Sequence, residues 1–326
     1  ISTSTIYGGT YNLFCTTLPK YGITCKFISP DAKEEEIAAL IDDKTKFIFC
    51  ETIANPAMAV ADFEKFSSVT KKFGLPLVVD NTLATPVICR PFDFGADIII
   101  YSSTKYLDGH ATSLGGIIVD SGKFNYLDNP RFPDFNEPDE SYHGLIYAKD
   151  FGNMGFLVKA RGQMMRDLGA QAAPFNAFLT VLGMDTLHLR MPRHSENALA
   201  LAKMLQANDA VEWVKYGGLE TDENYLLAKK YFTDGMASGM VTFGIKGGRE
   251  AAAKFQKALK LFRIVTHIAD ARSCVLHPAS TTHRQLSDAD LIACGISPNL
   301  IRLSVGIESA KDIVDDVENA LSASQN

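Results

Sequence analysis

The sequence predicts an α/β protein whose larger part is built around a mostly parallel sheet. Two observations support this prediction. The runs at residues 46–51, 77–80, 98–101 and 116–119 are dominated by apolar residues, as expected of strands that are buried on both faces. Segments with a helical pattern separate most of these runs, and such alternation is typical of parallel sheets covered by helices.

Helix and strand signals continue in order along the chain. Acidic residues in the first turn support a helix over residues 32–41, and Asp62 can cap a helix that reaches about residue 73. The pattern changes after a long amphipathic segment, which predicts a first domain over residues 1–188 and a smaller C-terminal α/β domain over residues 189–326. Further helices are expected over residues 10–18, 151–168, 188–205, 249–262 and 310–321, and further strands over residues 24–28, 211–216, 239–245 and 264–268.

Composition excludes several classes of protein. The chain of 326 residues is 46% hydrophobic and has a net charge of −6, whereas nucleic-acid binders usually have a basic excess. No apolar run approaches the roughly 18 residues of a membrane span, so we expect no membrane partner. The six cysteines are scattered without a CxxC pair, which favours reduced thiols in the cytoplasm. His277 and His283 do not match zinc spacings, so we predict no metal site and interpret both as structural or site-lining.

Two polar residues follow apolar runs that should be neighbouring strands. Asp80 ends one run and Lys105 closely follows another. Because ligands bind at the carboxyl ends of strands in a parallel α/β sheet, both side chains should face one pocket. Pyridoxal phosphate needs an amine that can form a Schiff base, a carboxylate for its ring nitrogen and groups that hold its phosphate. The hydroxyls of Ser102 and Thr104 beside the lysine can meet the last need, so the pattern predicts a pyridoxal phosphate site.

Two other motifs occur in the same segment. Residues 101–105 fit the YxxxK pattern of short-chain dehydrogenases, but no glycine-rich dinucleotide fingerprint opens the fold. Residues 102–105 fit the SxxK pattern of serine acyl-enzymes, but the partner motifs S-D-N and K-T-G are absent from the sequence. Neither motif has the context that its chemistry requires.

Several candidate site residues also have a structural interpretation. Tyr7, in a Tyr-Gly-Gly turn, can stack on a planar ring or pack as an ordinary aromatic residue. Asn55 can bind a ligand or form a turn with Pro56, and Asp80 can cap the residues that follow it. Arg302 is a lone charge in an apolar run. It can clamp a carboxylate through two hydrogen bonds or form an internal salt bridge.

Six motifs together resemble the Cys/Met-metabolism family of pyridoxal phosphate enzymes. The resemblance extends over essentially the whole chain in the family's order. It implies a fold-type I, aspartate-aminotransferase-like architecture, pyridoxal 5'-phosphate as cofactor and small amino acid substrates. The motifs are YGGTY at 7–11, ETIANP at 51–56, VDNT at 79–82, SSTK at 102–105, HPASTTH at 277–283 and IRLSVG at 301–306.

Two further segments resemble the O-acetylhomoserine sulfhydrylase branch of this family. They are residues 189–198 and a long loop over residues 129–147, rich in proline and aromatic residues. A loop of this length is expected to pack on a neighbour or over a site. The branch implies γ-replacement, in which O-acetyl-L-homoserine loses acetate and gains sulfide or methanethiol to give homocysteine or methionine. A γ-lyase that releases 2-oxobutyrate and a non-catalytic fragment are the alternatives. The family also implies a homotetramer built as a dimer of dimers.

The resemblance assigns cofactor contacts to five residues. Lys105 would hold the cofactor as an internal aldimine and move protons on the substrate. Asp80 would pair with the pyridine nitrogen, and Asn55 would lie near the ring's 3-hydroxyl. Ser102 and Thr104 would bind the phosphate.

The resemblance also implies ring and substrate contacts. Tyr7 would stack on the cofactor ring and assist proton transfer. Arg302 would bind the substrate α-carboxylate, and His267 is assigned to substrate binding because relatives often have Ser or Asn near that carboxylate. In relatives a preceding segment reaches the neighbouring subunit's site. Because the chain opens on Ile1 and not on Met, we expect an N-terminal part of the natural protein to precede it.

Overall fold

The computed structural model describes residues 1–282, 284–285, 287–289 and 296–325. Six strands form its N-terminal sheet: β1 (Ser2–Thr3), β2 (Phe27–Ile28), β3 (Ile48–Glu51), β4 (Leu77–Asp80), β5 (Ile98–Ser102) and β6 (Gly116–Asp120). They lie in the order β2-β1-β3-β4-β5-β6, and each neighbouring pair is parallel except β5 and β6. The predicted, mostly parallel sheet is confirmed, with one antiparallel strand at its edge.

Five strands form a second, largely antiparallel sheet: β7 (Val211–Lys215), β8 (Met240–Ile245), β9 (Arg263–Ile264), β10 (Cys274–Leu276) and β11 (Leu300–Ser304). Their order is β7-β8-β11-β10-β9, with only β9 and β10 parallel. The strand expected over residues 264–268 was wrong in its extent. Strand β9 ends at Ile264, and His267 instead lies with its Nδ1 3.4 Å from Lys105 Nζ.

Helices connect and cover the strands. They are α1 (Gly8–Asn12), α2 (Glu34–Ala39), α3 (Phe63–Phe73), α4 (Thr85–Ile88), α5 (Pro133–Asn136), α6 (Tyr147–Phe151), α7 (Gly155–Lys159), α8 (Arg166–Leu168), α9 (Pro174–Met184), α10 (Leu187–Ala207), α11 (Tyr225–Tyr231), α12 (Gly248–Ala258) and α13 (Ala310–Ser324). No helix among the described residues is both long and apolar enough to cross a bilayer.

Four helical expectations need correction. The helix expected over residues 151–168 is divided among 3₁₀, α-helical and π-helical turns. The helix expected over residues 10–18 is irregular, because α1 continues into a π-helical turn and then a 3₁₀ turn that ends at Gly22 with φ of 76°. The helix expected to reach residue 262 ends at Ala258, since Leu259 is extended. Asp62 precedes α3 but makes no capping hydrogen bond. Its carboxylate instead accepts a hydrogen bond from the Tyr231 hydroxyl at 2.5 Å.

The loop over residues 129–147 packs its aromatic rings within the chain. Tyr126 and Phe135 are stacked with ring centroids 4.4 Å apart, and Phe132 meets both rings edge-on. The Lys159 ammonium lies 4.5 Å from the centre of the Tyr147 ring. These rings are held by neighbours in their own chain, and packing of the loop on another subunit stays a prediction.

The two sheets have separate hydrophobic cores. Phe63 and Phe66 belong to the core of the large sheet, and Phe243 and Phe255 belong to that of the second sheet. Helix α10 contributes to both, with Met191 in the first core and residues from Ala198 onward in the second. The predicted domain boundary between residues 188 and 189 falls inside this helix and stays a prediction.

Candidate active site

The carboxyl ends of β4 and β5 place Asp80 and Lys105 on the same edge of the large sheet. The two strands are parallel neighbours, with Asp80 beside Ile100. Ser102 ends β5, and the chain then turns so that Lys105 N donates to Ser102 O at 3.2 Å. The structure therefore brings the predicted lysine and carboxylate to one edge of one sheet.

The Asp80 carboxylate is partly buried and held in a turn. Thr82 N donates to its Oδ1 at 2.9 Å, so the capping interpretation accounts for one oxygen. Burial raises the pKa of Asp80, and hydrogen bonds from Thr82 oppose this rise only in part. A buried carboxylate in this position is stabilised by a cation, which is the fit expected for a protonated pyridine nitrogen.

Lys105 is partly buried and has one side-chain partner among the described residues. Its Nζ lies 3.4 Å from Nδ1 of His267. Burial lowers the pKa of Lys105, and the charge of Arg302 lowers it further. Both effects favour the neutral amine, which is the form that attacks a carbonyl group.

The two hydroxyls beside Lys105, those of Ser102 and Thr104, differ in their hydrogen bonding. Ser102 N donates to Thr82 Oγ1 at 2.8 Å, while its own hydroxyl has no partner in the described part of the chain. The Thr104 hydroxyl accepts from Gly115 N at 3.1 Å and donates to Gly115 O at 3.3 Å. A Cβ at Gly115 would lie 2.5 Å from the Ser103 hydroxyl, so this close approach requires glycine. Ser102 can therefore receive a phosphate directly, whereas Thr104 holds the glycine turn.

Arg302 is a buried cation next to Asn55. Its two terminal nitrogens donate to Asn55 Oδ1 at 3.5 Å and to Thr266 O at 3.0 Å. Burial lowers the pKa of Arg302 to about 10. Among the described residues, no carboxylate lies within ion-pair distance of it, which removes the internal salt bridge as an explanation. A buried guanidinium without an anion is suited to bind one from a substrate.

Glu51 is a site residue that the sequence analysis did not single out. It ends β3 and pairs in register with Asp80 at the end of β4. Tyr7 N donates to its Oε1 at 2.6 Å. Burial and then the Asp80 charge raise the pKa of Glu51 well above the usual value. The signal was present, because Glu51 ends its apolar run as Asp80 does. Tyr7 itself is 55% exposed on this edge.

A buried network of hydrogen bonds holds the backbone next to Asp80 in place. Thr52 Oγ1 donates to Asn81 Oδ1 at 2.7 Å, and Asn81 Nδ2 donates to Cys89 O at 2.9 Å and to the Tyr101 hydroxyl at 3.2 Å. Since Asn81 follows Asp80 directly, these bonds fix the backbone that presents the carboxylate. The network links the ends of β3, β4 and β5.

His277 has a structural role in the described part of the chain. Its ring nitrogens contact Ser280 Oγ and Pro298 O, both at 2.8 Å. Both nitrogens are thus used within the fold, as the structural interpretation predicted. His283 lies outside the described residues. Among the described residues, no group of three or more His, Cys, Asp or Glu side chains could hold a metal ion.

A lysine, a carboxylate and a serine hydroxyl lie together at the carboxyl edge of this sheet, as expected of a fold-type I enzyme that uses pyridoxal phosphate. The family model for Cys/Met metabolism PLP-dependent enzymes matches residues 1–322. The chain belongs to this family.

Individual relatives match nearly the whole chain. An O-acetyl-L-homoserine sulfhydrylase from Leptospira meyeri is 46% identical over 98% of this chain and 74% of its own length. A homocysteine synthase from Schizosaccharomyces pombe is 47% identical over 98% of this chain and 75% of its own length. A crystal structure from Campylobacter jejuni, assigned as an O-acetylhomoserine (thiol)-lyase and containing a pyridoxyl-lysine phosphate, has a TM-score of 0.93 and 37% identity, covering 98% of this chain and 76% of its own.

Proposed function

We propose that this enzyme catalyses γ-replacement on O-acetyl-L-homoserine. Sulfide or methanethiol would replace acetate, giving homocysteine or methionine. The names of the relatives support the reaction class, and the observation that carries the assignment to an amino acid substrate is the unpaired, buried guanidinium of Arg302 close to Lys105. This arrangement suits a ligand whose carboxylate binds Arg302 while its reacting carbon lies near Lys105.

The residues of the chain would divide the work of binding. Asp80 would hold the ring nitrogen of the cofactor, while Ser102 and Thr104 would hold its phosphate, with Thr104 acting partly through the Gly115 turn. Asn55 would face the ring's 3-hydroxyl. When bound, pyridoxal phosphate supplies an electron sink that stabilises negative charge beside the substrate's amino group.

Proton transfer would fall to Lys105, with assistance from Tyr7 as the family resemblance implies. The lowered pKa of Lys105 lets its amine take a proton from the substrate's α-carbon and return it at another carbon, because a general base works best when its pKa lies near the working pH. Arg302 would fix the carboxylate, and the sequence-based assignment of His267 to substrate binding stays part of the proposal. Tyr7 would cover the ring.

Assembly and location are finer proposals. We propose a homotetramer built from two dimers, on the strength of the family resemblance. The cytoplasm is supported by the cysteines, since Cys15, Cys25, Cys50, Cys89 and Cys274 are all free thiols, and unpaired thiols are typical of reducing compartments.

Product analysis tests the proposed reaction. The purified protein with pyridoxal phosphate should convert O-acetyl-L-homoserine and sulfide to homocysteine, and methanethiol in place of sulfide should give methionine. Release of 2-oxobutyrate at the same rate with and without sulfide would assign the chain to γ-elimination instead. No product from either incubation, despite bound cofactor, would contradict both reactions.

A further inference from the structure

His267 stands between the reactive lysine and a buried carboxylate. Its Nδ1 lies 3.4 Å from Lys105 Nζ, although the two residues are 162 positions apart. The opposite ring nitrogen, Nε2, is buried and has no hydrogen-bond partner among the described residues. Asp270 Oδ2 lies 3.9 Å from this nitrogen. The imidazole therefore has an amine at one edge and a carboxylate near the other.

Asp270 is fixed in position by Arg272. The Arg272 side chain donates Nε to Oδ1 at 2.9 Å and a terminal nitrogen to Oδ2 at 2.8 Å, and its backbone N also donates to Oδ1 at 2.9 Å. Burial opposes ionisation of this carboxyl, but the bonds from Arg272 outweigh burial and lower the pKa of Asp270. Asp270 therefore stays ionised and can attract a proton on the ring without binding it tightly.

The donors and acceptors that each group carries determine the direction of the hydrogen bond between Lys105 and His267. An ammonium group has donors and no acceptor, so a charged Lys105 can only donate to the lone pair of Nδ1. The single proton of the neutral ring is then on Nε2, which faces Asp270. If the proton moves from Nζ to Nδ1, one N–H bond breaks and one forms. Lys105 gains a free electron pair, and the positive charge moves to the ring beside the carboxylate.

We propose that His267 is the proton acceptor for Lys105, with Asp270 stabilising the imidazolium that forms. The inference deepens the proposed function, because the same lysine is the group that would hold the cofactor and move protons. Burial and then the Lys105 charge lower the pKa of His267, so the ring is neutral and able to accept near pH 7.

Charged and titratable groups surround this pair on each element packed against it. Arg302 on β11 opposes a proton on the lysine, and Cys274 on β10 favours one. Asp108 lies on the turn after Lys105, and Asp270 and Arg272 lie on the loop that carries His267. The two carboxylates favour a proton on the His267 ring. Arg272 opposes a proton on that ring, and Arg302 opposes one on Lys105.

Competitive acetylation tests the proposal without substrate or turnover. The full chain, with cofactor removed, is treated with trace acetic anhydride at pH values from 5 to 9, and the labelling of Lys105 is measured by mass spectrometry relative to the exposed Lys246. The variants are His267→Asn, which keeps a short acceptor but cannot take up a proton, and His267→Ala. His188→Asn, at an exposed histidine, is the matched control, and melting temperatures verify folding.

A proton acceptor predicts a distinct pH profile. In the wild type and in His188→Asn, labelling of Lys105 should rise through an inflection below pH 6.5, where His267 becomes neutral. Both His267 variants should lose this inflection and label Lys105 at least about tenfold more slowly at pH 7, a modest value for general-base assistance. Wild-type labelling in His267→Asn would assign the ring to orientation alone and overturn the proposal, as would an inflection that survives in both variants.

A second variant tests the part assigned to Asp270. Asp270→Asn removes the charge that raises the pKa of the ring, so the inflection should move to lower pH. An unchanged inflection would overturn the role of Asp270. Because acetylation requires neither O-acetylhomoserine nor sulfide, failure of the γ-replacement assay would leave this result standing, and the reverse also holds.

Discussion

At the scale of single residues, Arg302 is the residue that we propose to hold the carboxylate end of the substrate. It is 9% exposed, and among the described residues its side-chain acceptors, Asn55 Oδ1 and Thr266 O, are neutral oxygens. A buried charge without an ionic partner carries a desolvation penalty of several kcal/mol, and a bound anion offsets part of this penalty. Binding of a carboxylate is therefore the state that the surroundings of Arg302 favour.

Arg302→Lys should raise the KM for O-acetylhomoserine by about tenfold or more while changing kcat less. A lysine keeps the charge but loses the planar fork that binds two carboxylate oxygens at once. Steady-state kinetics on the variant measure this split. Arg263→Lys, an exposed arginine in the same sheet, is the control and should behave as the wild type. An unchanged KM in Arg302→Lys would remove this residue from substrate binding.

Asp80→Asn should leave the cofactor bound and lower turnover by orders of magnitude, because a neutral amide cannot stabilise a protonated ring nitrogen as a carboxylate does. Cofactor absorbance and turnover are measured on the same sample. Glu51→Gln is the matched control one strand away. Burial and then the Asp80 charge raise the pKa of the Glu51 carboxyl and so disfavour its charge, which is why a neutral glutamine should cost less than tenfold. Comparable losses in both variants would point to the local charge, and not to Asp80, as the cause.

Candidate residues could be predicted from sequence where a polar side chain ends, closely follows or interrupts an apolar run. Asp80 and Lys105 were found in this way at one edge of the large sheet, and Arg302 was found within β11 of the second sheet. The contact of His267 with Lys105 could not be predicted, because it depends on how two sheets pack and no local pattern records that. The Thr104 hydroxyl shows a second limit, since its bonds to Gly115 depend on where β6 begins.

At the scale of elements, helix α10 ties the lysine segment to the second sheet. Arg190 donates to Tyr106 O at 2.9 Å and to Gly183 O at 2.7 Å, and it is buried. The Tyr106 hydroxyl in turn accepts from Gly239 N at 3.0 Å. These bonds fix the residue next to Lys105 from two directions, so α10 supports the site without touching it.

Arg190→Met should lower the free energy of unfolding by about 2–4 kcal/mol, because charged hydrogen bonds to buried carbonyl oxygens are lost and those oxygens stay buried. Denaturant unfolding measures the change. Arg193→Met on the same helix, whose side chain is 47% exposed, should change the stability by no more than about 0.5 kcal/mol. Equal effects of the two substitutions would contradict the anchoring role of Arg190.

His194 on the same helix predicts a pH dependence of stability. It is fully buried, donates to Val305 O at 2.7 Å, and burial lowers its pKa from 6.5 to about 4. As the pH falls from 6.5 to about 4, His194 is protonated in the unfolded chain but stays neutral in the native protein. The free energy of unfolding therefore decreases over this range. The expected loss is about 3 kcal/mol.

The difference in unfolding free energy between the wild type and His194→Asn, measured from pH 7 to pH 4, isolates this contribution. Asparagine can still donate to Val305 O but does not titrate in this range, so the wild type should lose more stability as the pH falls. Parallel curves would show that His194 does not carry the dependence.

At the scale of the whole molecule, alternation of apolar runs with helical segments was enough to predict the class of fold. The direction of β6 was not predictable, because an apolar edge strand has the same composition in either direction. Strand β10 was missed because three residues, Cys274–Leu276, give no periodicity to detect. The helix expected to reach residue 262 ended early because the Asp316 carboxylate accepts from the backbone at Lys260 and Leu261, a contact that only the tertiary fold supplies.

We propose that pyridoxal phosphate is bound covalently by Lys105 at this edge of the sheet. Reduction of the cofactor-loaded protein with borohydride, followed by digestion and mass spectrometry, identifies the lysine that bears the pyridoxyl group. The modified peptide should contain Lys105, and Lys105→Ala should yield no modified peptide from the same amount of folded protein. A pyridoxyl group on another lysine, retained when Lys105 is replaced, would rule out Lys105 as the cofactor lysine.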